Sequence, residues 1–380
     1  MNKIIPIISS NHFSGVALKK ARLLKGYSME ELGKEVNVSQ QMISKYEKES
    51  STPTAEVLIE LSKVLGFPTS FFYTEQVISD TSEGFYRKSS NVPKKSKQKV
   101  AEKVSFFSSI LDNIMEVIRL PKYEDPIEIN RSKEFKENSF EYIEKVSLAI
   151  RKKFNLGIGP LLNLTGFLES LGIFIIFTNL ESEKIDAYTV LIDDKPIMLI
   201  NSQRTSSSRI RFNLAHEFAH ILFHKEYIKK YEKGTKYSRI EQEANYFAGC
   251  FLIPEKGLID DMTSISLQHF IILKSHWHVS IAALIYRANQ CGFISNTHTL
   301  HLRQQMSRNK WRTTEPLDDK IAIEEPKMME QALDLYSNVK QNDAVNILAD
   351  KLKLFPEFIN ELLFNQTTKE DKFSFGLKLL

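Results

Sequence analysis

Apolar residues in the first 73 positions recur at helical spacing between turn signals, which predicts five short helices. The run Ser-Met-Glu-Glu at 28–31 has the form of a capping box and begins a helix over residues 29–35. A turn and a second cap at 37–39 then begin a helix over residues 40–47. Two short helices joined this closely predict a helix-turn-helix. The apolar positions expected to fill its core are Val16, Leu23, Leu32, Val36, Val38, Ile43, Leu58, Leu61 and Leu65.

Beyond a polar and basic stretch at 74–95, a longer amphipathic helix is predicted over residues 96–120. One face of this helix carries only apolar side chains, and two prolines break the chain after it. We name this face the apolar stripe: Val100, Val104, Phe107, Leu111, Ile114 and Ile118. The stripe either forms a seam between two copies of the chain or packs within its own domain.

The pattern changes between residues 136 and 295, where helical and alternating segments are mixed. Helices are predicted over 139–154 and 161–171, and strands over 173–179, 187–192 and 196–201, with a turn at 193–196 between the last two. Residues 300–380 read as helical, with a possible strand at 299–303. The chain as a whole is therefore predicted to be mainly α with one α+β domain.

Composition restricts the class of protein further. Of 380 residues, 42% are hydrophobic and 26% are charged, and the longest apolar run, near residues 171–177, is too short to span a bilayer. Polar residues at 9–12 interrupt the N-terminus where a signal peptide would need apolar length, so we expect a cytoplasmic protein. Only Cys250 and Cys291 are present, which excludes a cysteine zinc site and a disulfide framework. Any metal must be held by His and carboxylate side chains.

The net charge of +4 permits nucleic-acid binding without requiring it. Basic residues concentrate between Tyr86 and Lys103, where Glu102 is the one acidic residue. The seven cations are Arg87, Lys88, Lys94, Lys95, Lys97, Lys99 and Lys103. A solvated linker is favoured slightly over an arm that contacts phosphate.

The sequence His-Glu-Phe-Ala-His at 216–220 is the strongest chemical signal in the chain. Residues four apart share a helix face, so His216 and His220 can place two imidazole nitrogens on one Zn²⁺ ion. Glu217 borders that face and could accept a proton from water at the open coordination position. The surrounding residues are apolar, which predicts that the helix is buried and that its polar side chains need partners such as a metal.

A third ligand is required, and Glu241 is the first choice because it shares a helix face with two alanines and Asn245. Asn245 could hold a ligand imidazole by a hydrogen bond. Glu243 is the second choice. His224 continues the four-residue spacing, but along one straight helix it would lie about 12 Å from His216, too far for one ion. It is interpreted as a packed or capping histidine.

In the helix-turn-helix, Gln40, Gln41 and Ser44 project at the start of the second helix, and Gln suits bidentate pairing with adenine. The segment from Val16 to Phe67 resembles the XRE, or lambda-repressor-like, helix-turn-helix family. The resemblance rests on Tyr-Ser at 27–28, Ile-Ser-Lys-Tyr-Glu at 43–47 and Pro at 53. It implies that those three side chains read bases of double-stranded operator DNA and that Lys45 lies near phosphate. One recognition helix reads few base pairs, so we expect a homodimer.

Residues 197–294 resemble the ImmA/IrrE family of gluzincin-like metallopeptidases through four motifs in order. These are Arg-Ile-Arg-Phe-Asn-Leu-Ala at 209–215 before the histidines, residues 241–247, Phe-Leu-Ile-Pro at 251–254, and Trp-His-Val-Ser at 277–280 with residues 283–287. The resemblance implies that His216, His220 and Glu241 bind Zn²⁺ and that Glu217 is the catalytic base. It also implies a familiar fusion with a repressor-like domain.

The predicted domains are therefore 1–75 for DNA binding, 76–135 for a basic linker and helix, 136–298 for the metallopeptidase, and 299–380 for a helical region of unknown role. The expected function is that of a transcriptional regulator with a zinc endopeptidase domain, which cleaves a repressor-type protein or itself in a mobile-element or stress response. One alternative is a non-proteolytic regulator whose zinc pocket senses a ligand. Another is a peptidase whose helix-turn-helix binds a protein partner.

Overall fold

A computed structural model describes residues 12–74, 85–86, 93–180, 185–201, 206–231 and 234–364 of the chain. Two compact units account for these residues. Unit 1 consists of Met1–Thr81, Pro93–Arg119 and Met329–Leu380, and unit 2 consists of Ser82–Val92 and Leu120–Met328. The N-terminal residues 1–11 and the cations Arg87 and Lys88 lie outside the described residues.

Unit 1 begins with four short helices whose ends match the capping signals of the sequence. They are α1 (Gly15–Lys25), α2 (Met29–Glu35), α3 (Gln40–Glu47) and α4 (Ala55–Leu65). The capping box between Ser28 and Glu31 is present, with both of its hydrogen bonds. The fifth predicted helix is a 3₁₀ turn, Thr69–Tyr73. Both helices of the predicted helix-turn-helix are confirmed with the expected bounds.

The core of these helices differs from the expected set at a few positions. Val16 is 52% exposed, because α1 instead turns Ala17, Leu18 and Ala21 inward. Leu23, Val38 and Leu58 are only partly buried. The remaining expected core residues are buried, so the periodicity was read correctly for α2 and α3 and was shifted by a residue or two on α1.

The apolar stripe lies on α5 (Lys94–Met115) and in the turn that follows it, and all six of its residues are buried within the chain. Unit 1 is completed by α14 (Met328–Lys340), α15 (Ala344–Leu352) and α16 (Pro356–Phe364). Phe358 of α16 packs its ring against Phe67 and Phe106, with ring centroids 5.3 and 5.2 Å away. The stripe is therefore core, and it is not available as a seam between two copies.

The basic stretch is divided between two kinds of structure. Lys94 and the cations after it belong to α5, where Lys95 pairs with Glu31 of α2 at 3.5 Å. The linker interpretation is therefore wrong for this part. The error arose because lysines on the solvent face of a helix have the same composition as a linker.

Unit 2 contains a four-stranded sheet covered by helices. Its strands are β1 (Phe85–Tyr86), β2 (Phe174–Thr178), β3 (Ala187–Ile192) and β4 (Lys195–Asn201), in the spatial order β1-β3-β4-β2. β3 is antiparallel to both β1 and β4, and β2 is parallel to β4. The β3–β4 turn places Asp193 and Asp194 at φ of 48° and 63°, as a two-residue hairpin of the predicted kind requires.

The helices of unit 2 are α6 (Phe140–Lys153), α7 (Leu164–Ser170), α8 (Ser207–Ala219), α9 (Thr235–Leu252), α10 (Glu255–Asp261), α11 (Leu267–Trp277), α12 (Ile281–Gln290) and α13 (Asn296–Arg308). A π-helical turn, His220–His224, continues α8, and a 3₁₀ turn covers Ile228–Lys230. α8 and α9 pack against each other and share one large apolar core with the sheet.

Two expectations for the second half of the chain need correction. The possible strand at 299–303 is wrong, because these residues lie inside α13, which Ser295 caps by accepting a hydrogen bond from His298 N–H. The two-residue strand β1 was not expected at all. The compact units also divide the chain differently from the predicted domains, because 93–119 and 329–380 group with the helix-turn-helix.

The overall class agrees with the sequence, since the described residues are mainly helical and unit 2 has an α+β layout. Within the described ranges, no helix combines the length and the apolar character that crossing a membrane requires.

Candidate metal centre and nucleic-acid interface

His216, His220 and Glu241 come together at the contact between α8 and α9. His216 lies near the end of α8, His220 begins the π-helical turn, and Glu241 lies in the second turn of α9. The two Nε2 atoms are 3.0 Å apart, and each is 3.5 Å from one oxygen of Glu241. Four-coordinate Zn²⁺ with bonds of about 2.0–2.1 Å places its ligand atoms about 3.3 Å from one another. The three donor atoms thus have the spacing of one face of a zinc tetrahedron.

The hydrogen bond from Asn245 determines the orientation and tautomer of His216. The Nδ1–H of His216 donates to Oδ1 of Asn245 at 3.0 Å, and Asn245 lies one turn after Glu241 on α9. Since a neutral imidazole has one N–H, the Nε2 of His216 is left with its lone pair directed at the cluster. That is the form of histidine that binds a metal.

His220 is oriented through His224, which the sequence placed as a packed residue. The Nδ1 atoms of His220 and His224 are 2.9 Å apart, and Nε2 of His224 is 3.2 Å from Oε2 of Glu243. An ionised carboxylate only accepts, so His224 donates from Nε2 and accepts at Nδ1. His220 therefore donates from Nδ1, and its Nε2 also presents a lone pair. Glu243 fixes two tautomers in sequence.

Glu243 can do this because it is ionised although buried. Burial alone would raise its pKa, but hydrogen bonds from His224 and Asn138 and the charge of His224 hold that pKa below its usual value. Asn138 donates from its backbone and its side chain at 3.0 and 2.8 Å, and Arg239 donates at 3.1 Å. Burial lowers the pKa of His224 to about 4, so this imidazole is neutral near pH 7.

Glu241 is the part of the cluster that reaches solvent. Its side chain is 21% exposed, while His216 and His220 are almost fully buried. Burial would raise the pKa of the Glu241 carboxyl, but the hydrogen bonds and charges of the two histidines outweigh burial and hold this pKa far below its ordinary range. The donor set is therefore two neutral imidazoles and one carboxylate. Among the described residues, this is the group of His, Cys and acidic side chains compact enough to hold a metal ion.

Glu217 follows His216 on α8 and is completely buried. Its Oε2 accepts a hydrogen bond of 2.7 Å from the hydroxyl of Thr189, in the middle of β3. Thr189 is buried as well, so this bond ties the carboxylate to the sheet. Thr189 was not found by sequence reasoning, because it is 28 residues away in the chain and belongs to no motif.

In unit 1, the four residues predicted to contact DNA lie on α3. Gln40, Gln41 and Lys45 are exposed and Ser44 is half-buried, while Ile43 and Tyr46 on the other face are buried. Ser39 caps the helix, so its first turn is rigid where Gln40 and Gln41 project. The structure brings these side chains together on one accessible helix surface.

The position of α3 is set by an ion pair with α1. Arg22 donates to both carboxylate oxygens of Glu47, from Nε at 2.5 Å and from Nη2 at 3.0 Å. A third bond of 2.8 Å runs from Nη1 of Arg22 to the carbonyl of Tyr27. Both charged side chains are about 95% buried. This pair holds the end of the recognition helix against the rest of the bundle.

Comparison with known proteins agrees with the two resemblances. Residues 18–72 match the family model described as helix-turn-helix, and residues 168–289 match the peptidase family M78 model described as IrrE N-terminal-like domain. No curated protein matches the chain significantly. A metallopeptidase family implies a metal, and the matched range includes all three residues of the cluster.

Among solved structures, the chain is similar to the crystal structure of Bacillus thuringiensis PlcR in complex with the peptide PapR7 and DNA. The identity is 13%, and the alignment covers 92% of this chain and 90% of that one. The TM-score of 0.17 is too low to establish a common fold. The chain is thus similar to helix-turn-helix domains over residues 18–72 and to IrrE N-terminal-like domains over residues 168–289.

Proposed function

We propose that this chain is a DNA-binding transcriptional regulator with a zinc endopeptidase domain, which cleaves a repressor-type protein or itself in a mobile-element or stress response. The observation that carries the proposal is the donor set of His216, His220 and Glu241, with spacing and tautomers suited to one Zn²⁺ ion. The matches to a helix-turn-helix model and a metallopeptidase model support the two halves of the proposal.

The division of labour in the peptidase site follows from the chain's own side chains. Zinc, when bound, would supply Lewis acidity for a peptide carbonyl and for water. Asn245 and His224 would hold the two imidazoles in place, and Glu217 would accept the proton of the attacking water and return it to the leaving amine. Thr189 would keep the carboxylate of Glu217 aimed by its hydrogen bond.

For DNA, we propose that Gln40, Gln41 and Ser44 read base edges in the major groove and that Lys45 contacts phosphate. The protein would act as a homodimer on an inverted repeat in the cytoplasm. Because the apolar stripe is buried within the chain, a dimer would have to use another surface. The functional segments would be 1–75, 76–135, 136–298 and 299–380, although the compact units group part of the second and most of the fourth with the first.

A comparison of protein termini in cells tests the proteolytic role. Strains that carry the wild type or Glu217→Gln would be compared by mass spectrometry of new N-termini, with transcript levels measured in parallel. We expect at least one protein, or this chain itself, to be cut in the wild-type strain alone, together with altered transcription. Identical termini but different transcripts in the two strains would favour the regulator that senses a ligand without cutting.

The orientation of His220 through His224 leads to a prediction about metal affinity. We expect His224→Ala to weaken zinc binding by about 10- to 100-fold, because partners that orient a ligand imidazole have effects of that size. Competition with a chromophoric chelator would measure the dissociation constant. His276→Ala is the matched control, since His276 is exposed and pairs with Asp261 at 3.4 Å. Unchanged affinity in a folded His224→Ala protein would show that His224 only packs.

A second prediction concerns base reading by α3. We expect Gln40→Ala with Gln41→Ala to weaken binding to an operator selected from random DNA by about 1–3 kcal/mol per lost base contact. Binding to non-specific DNA should be unchanged. Lys45→Ala provides the contrast, because losing a phosphate contact should weaken binding to all sequences alike and reduce its salt dependence. An equal loss on operator and random DNA in the glutamine variant would show that these residues do not read sequence.

A further inference from the structure

The outer edge of β3 is joined by the chain's own strand β1. Phe85 pairs with Thr189 and Tyr86 pairs with Tyr188, in antiparallel orientation. β4 occupies the other side of β3 along its whole length. Within the described parts of the chain, β1 is the strand that pairs with the outer edge, and it covers two of the six residues of β3.

Thr189 connects this edge to the metal centre. Its backbone pairs with Phe85, and its side chain donates the 2.7 Å hydrogen bond to Glu217. Paired strands lie about 4.8 Å apart, so the backbone of β1 runs one strand spacing from the residue that holds Glu217. Any extended chain on this edge therefore passes beside the carboxylate proposed as the base.

A sheet edge binds extended peptides through main-chain hydrogen bonds that are largely independent of sequence. Two residues form too short a strand to be stable on their own. A tether compensates, because a segment of the same chain has an effective concentration of roughly millimolar. An intramolecular strand of this kind is therefore easily displaced, but it competes with any peptide that binds from solution.

We propose that the outer edge of β3 is the peptide-docking edge of the metal centre, and that the Phe85–Tyr86 strand is an intramolecular occupant that a peptide must displace. The inference deepens the proposed function and rests on it, since it names where and against what competitor the peptide docks. It concerns binding alone, so its test does not require hydrolysis. A failure of docking and a failure of catalysis can then be told apart.

The test uses the full-length chain with Glu217→Gln, so that nothing is cut, and with or without Phe85→Pro and Tyr86→Pro. The prolines remove both N–H donors of the strand and disfavour pairing. The probe is a fluorescent peptide with the sequence of Ser82–Val92, and its control carries proline at the same two positions. Fluorescence anisotropy gives the dissociation constants, and hydrogen exchange reports on the amides of Tyr188 and Thr189.

We expect the proline variant to bind the probe at least about tenfold more tightly than the unsubstituted chain, because its edge is free. We expect β3 amide protection to fall in that variant and to recover when the probe, but not the control peptide, is added. Equal affinity of the two proteins would show that β1 is not a competitor. No binding to the proline variant, or no recovery of protection on β3, would show that this edge is not a peptide site. Zinc content and thermal denaturation verify that each variant is folded.

Discussion

Replacing Glu217 with Gln is expected to slow cleavage of the protein's substrate by about 10²- to 10⁴-fold, the usual contribution of a general base. Gln is nearly the same size and can still accept the hydrogen bond from Thr189, so the fold should be unaffected. It cannot accept the proton of the attacking water. The initial rate on the substrate found by the terminus comparison would be measured for wild type and variant.

The same variant separates catalysis from the other functions. We expect Glu217→Gln to keep its zinc and its affinity for operator DNA, because Glu217 is neither in the donor set nor in unit 1. Glu255→Gln is the matched control, since Glu255 is exposed at the start of α10. A cleavage rate within a few-fold of wild type, in a variant of normal zinc content, would exclude Glu217 as the base.

The second large effect concerns stability of the DNA-binding bundle. We expect Arg22→Met to destabilise unit 1 by about 3–5 kcal/mol, because it leaves the carboxylate of Glu47 buried without its partner. For a unit of this size, that loss corresponds to a fall in Tm of roughly 6–20 °C. Thermal denaturation followed by circular dichroism would measure it. Operator binding should weaken as well, since Glu47 belongs to the recognition helix.

A double variant identifies the cause. If the cost comes from an unpaired buried charge, Arg22→Met with Glu47→Leu should recover most of the lost stability, because an apolar pair of similar volume is often neutral. A single Arg22→Met variant that loses less than about 1 kcal/mol would mean that the pair is weak, as pairs at protein surfaces are. Lys34→Met, which breaks an exposed pair with Glu30, gives that surface reference.

The elements that could be predicted from the sequence are those determined by local signals. The bounds of α2 and α3 follow from the caps at Ser28 and Ser39, and β3 and its turn follow from alternation ending at Asp193 and Asp194. These features depend on residues within a few positions of each other. The fold class was predictable for the same reason.

The parts that could not be predicted depend on contacts between distant residues. Thr189 reaches Glu217 across 28 positions, and Asn138 reaches Glu243 across 105. The role of His224 was missed although its spacing from His220 was noted, because the partner that fixes its tautomer comes from another helix. The packing of α16 against Phe67 and Phe106 likewise has no signal in the sequence of either segment.

The strand at 299–303 was predicted wrongly for a local reason. Thr and Leu alternate with polar residues there, which suits a strand, but Ser295 caps the segment as a helix and Leu302 is buried in the core of unit 2. Burial on one helix face outweighed the weak alternation.

The most direct test of the account is the zinc content of the purified chain, measured by elemental analysis. We predict about one zinc per chain in the wild type and in Glu243→Ala, whose side chain orients His224 and is not a ligand. Loss of zinc is predicted for Glu241→Ala and for His216→Ala with His220→Ala. Stoichiometric zinc retained by the double histidine variant would contradict the account, and zinc lost from Glu243→Ala but kept by Glu241→Ala would contradict the assignment of the third ligand.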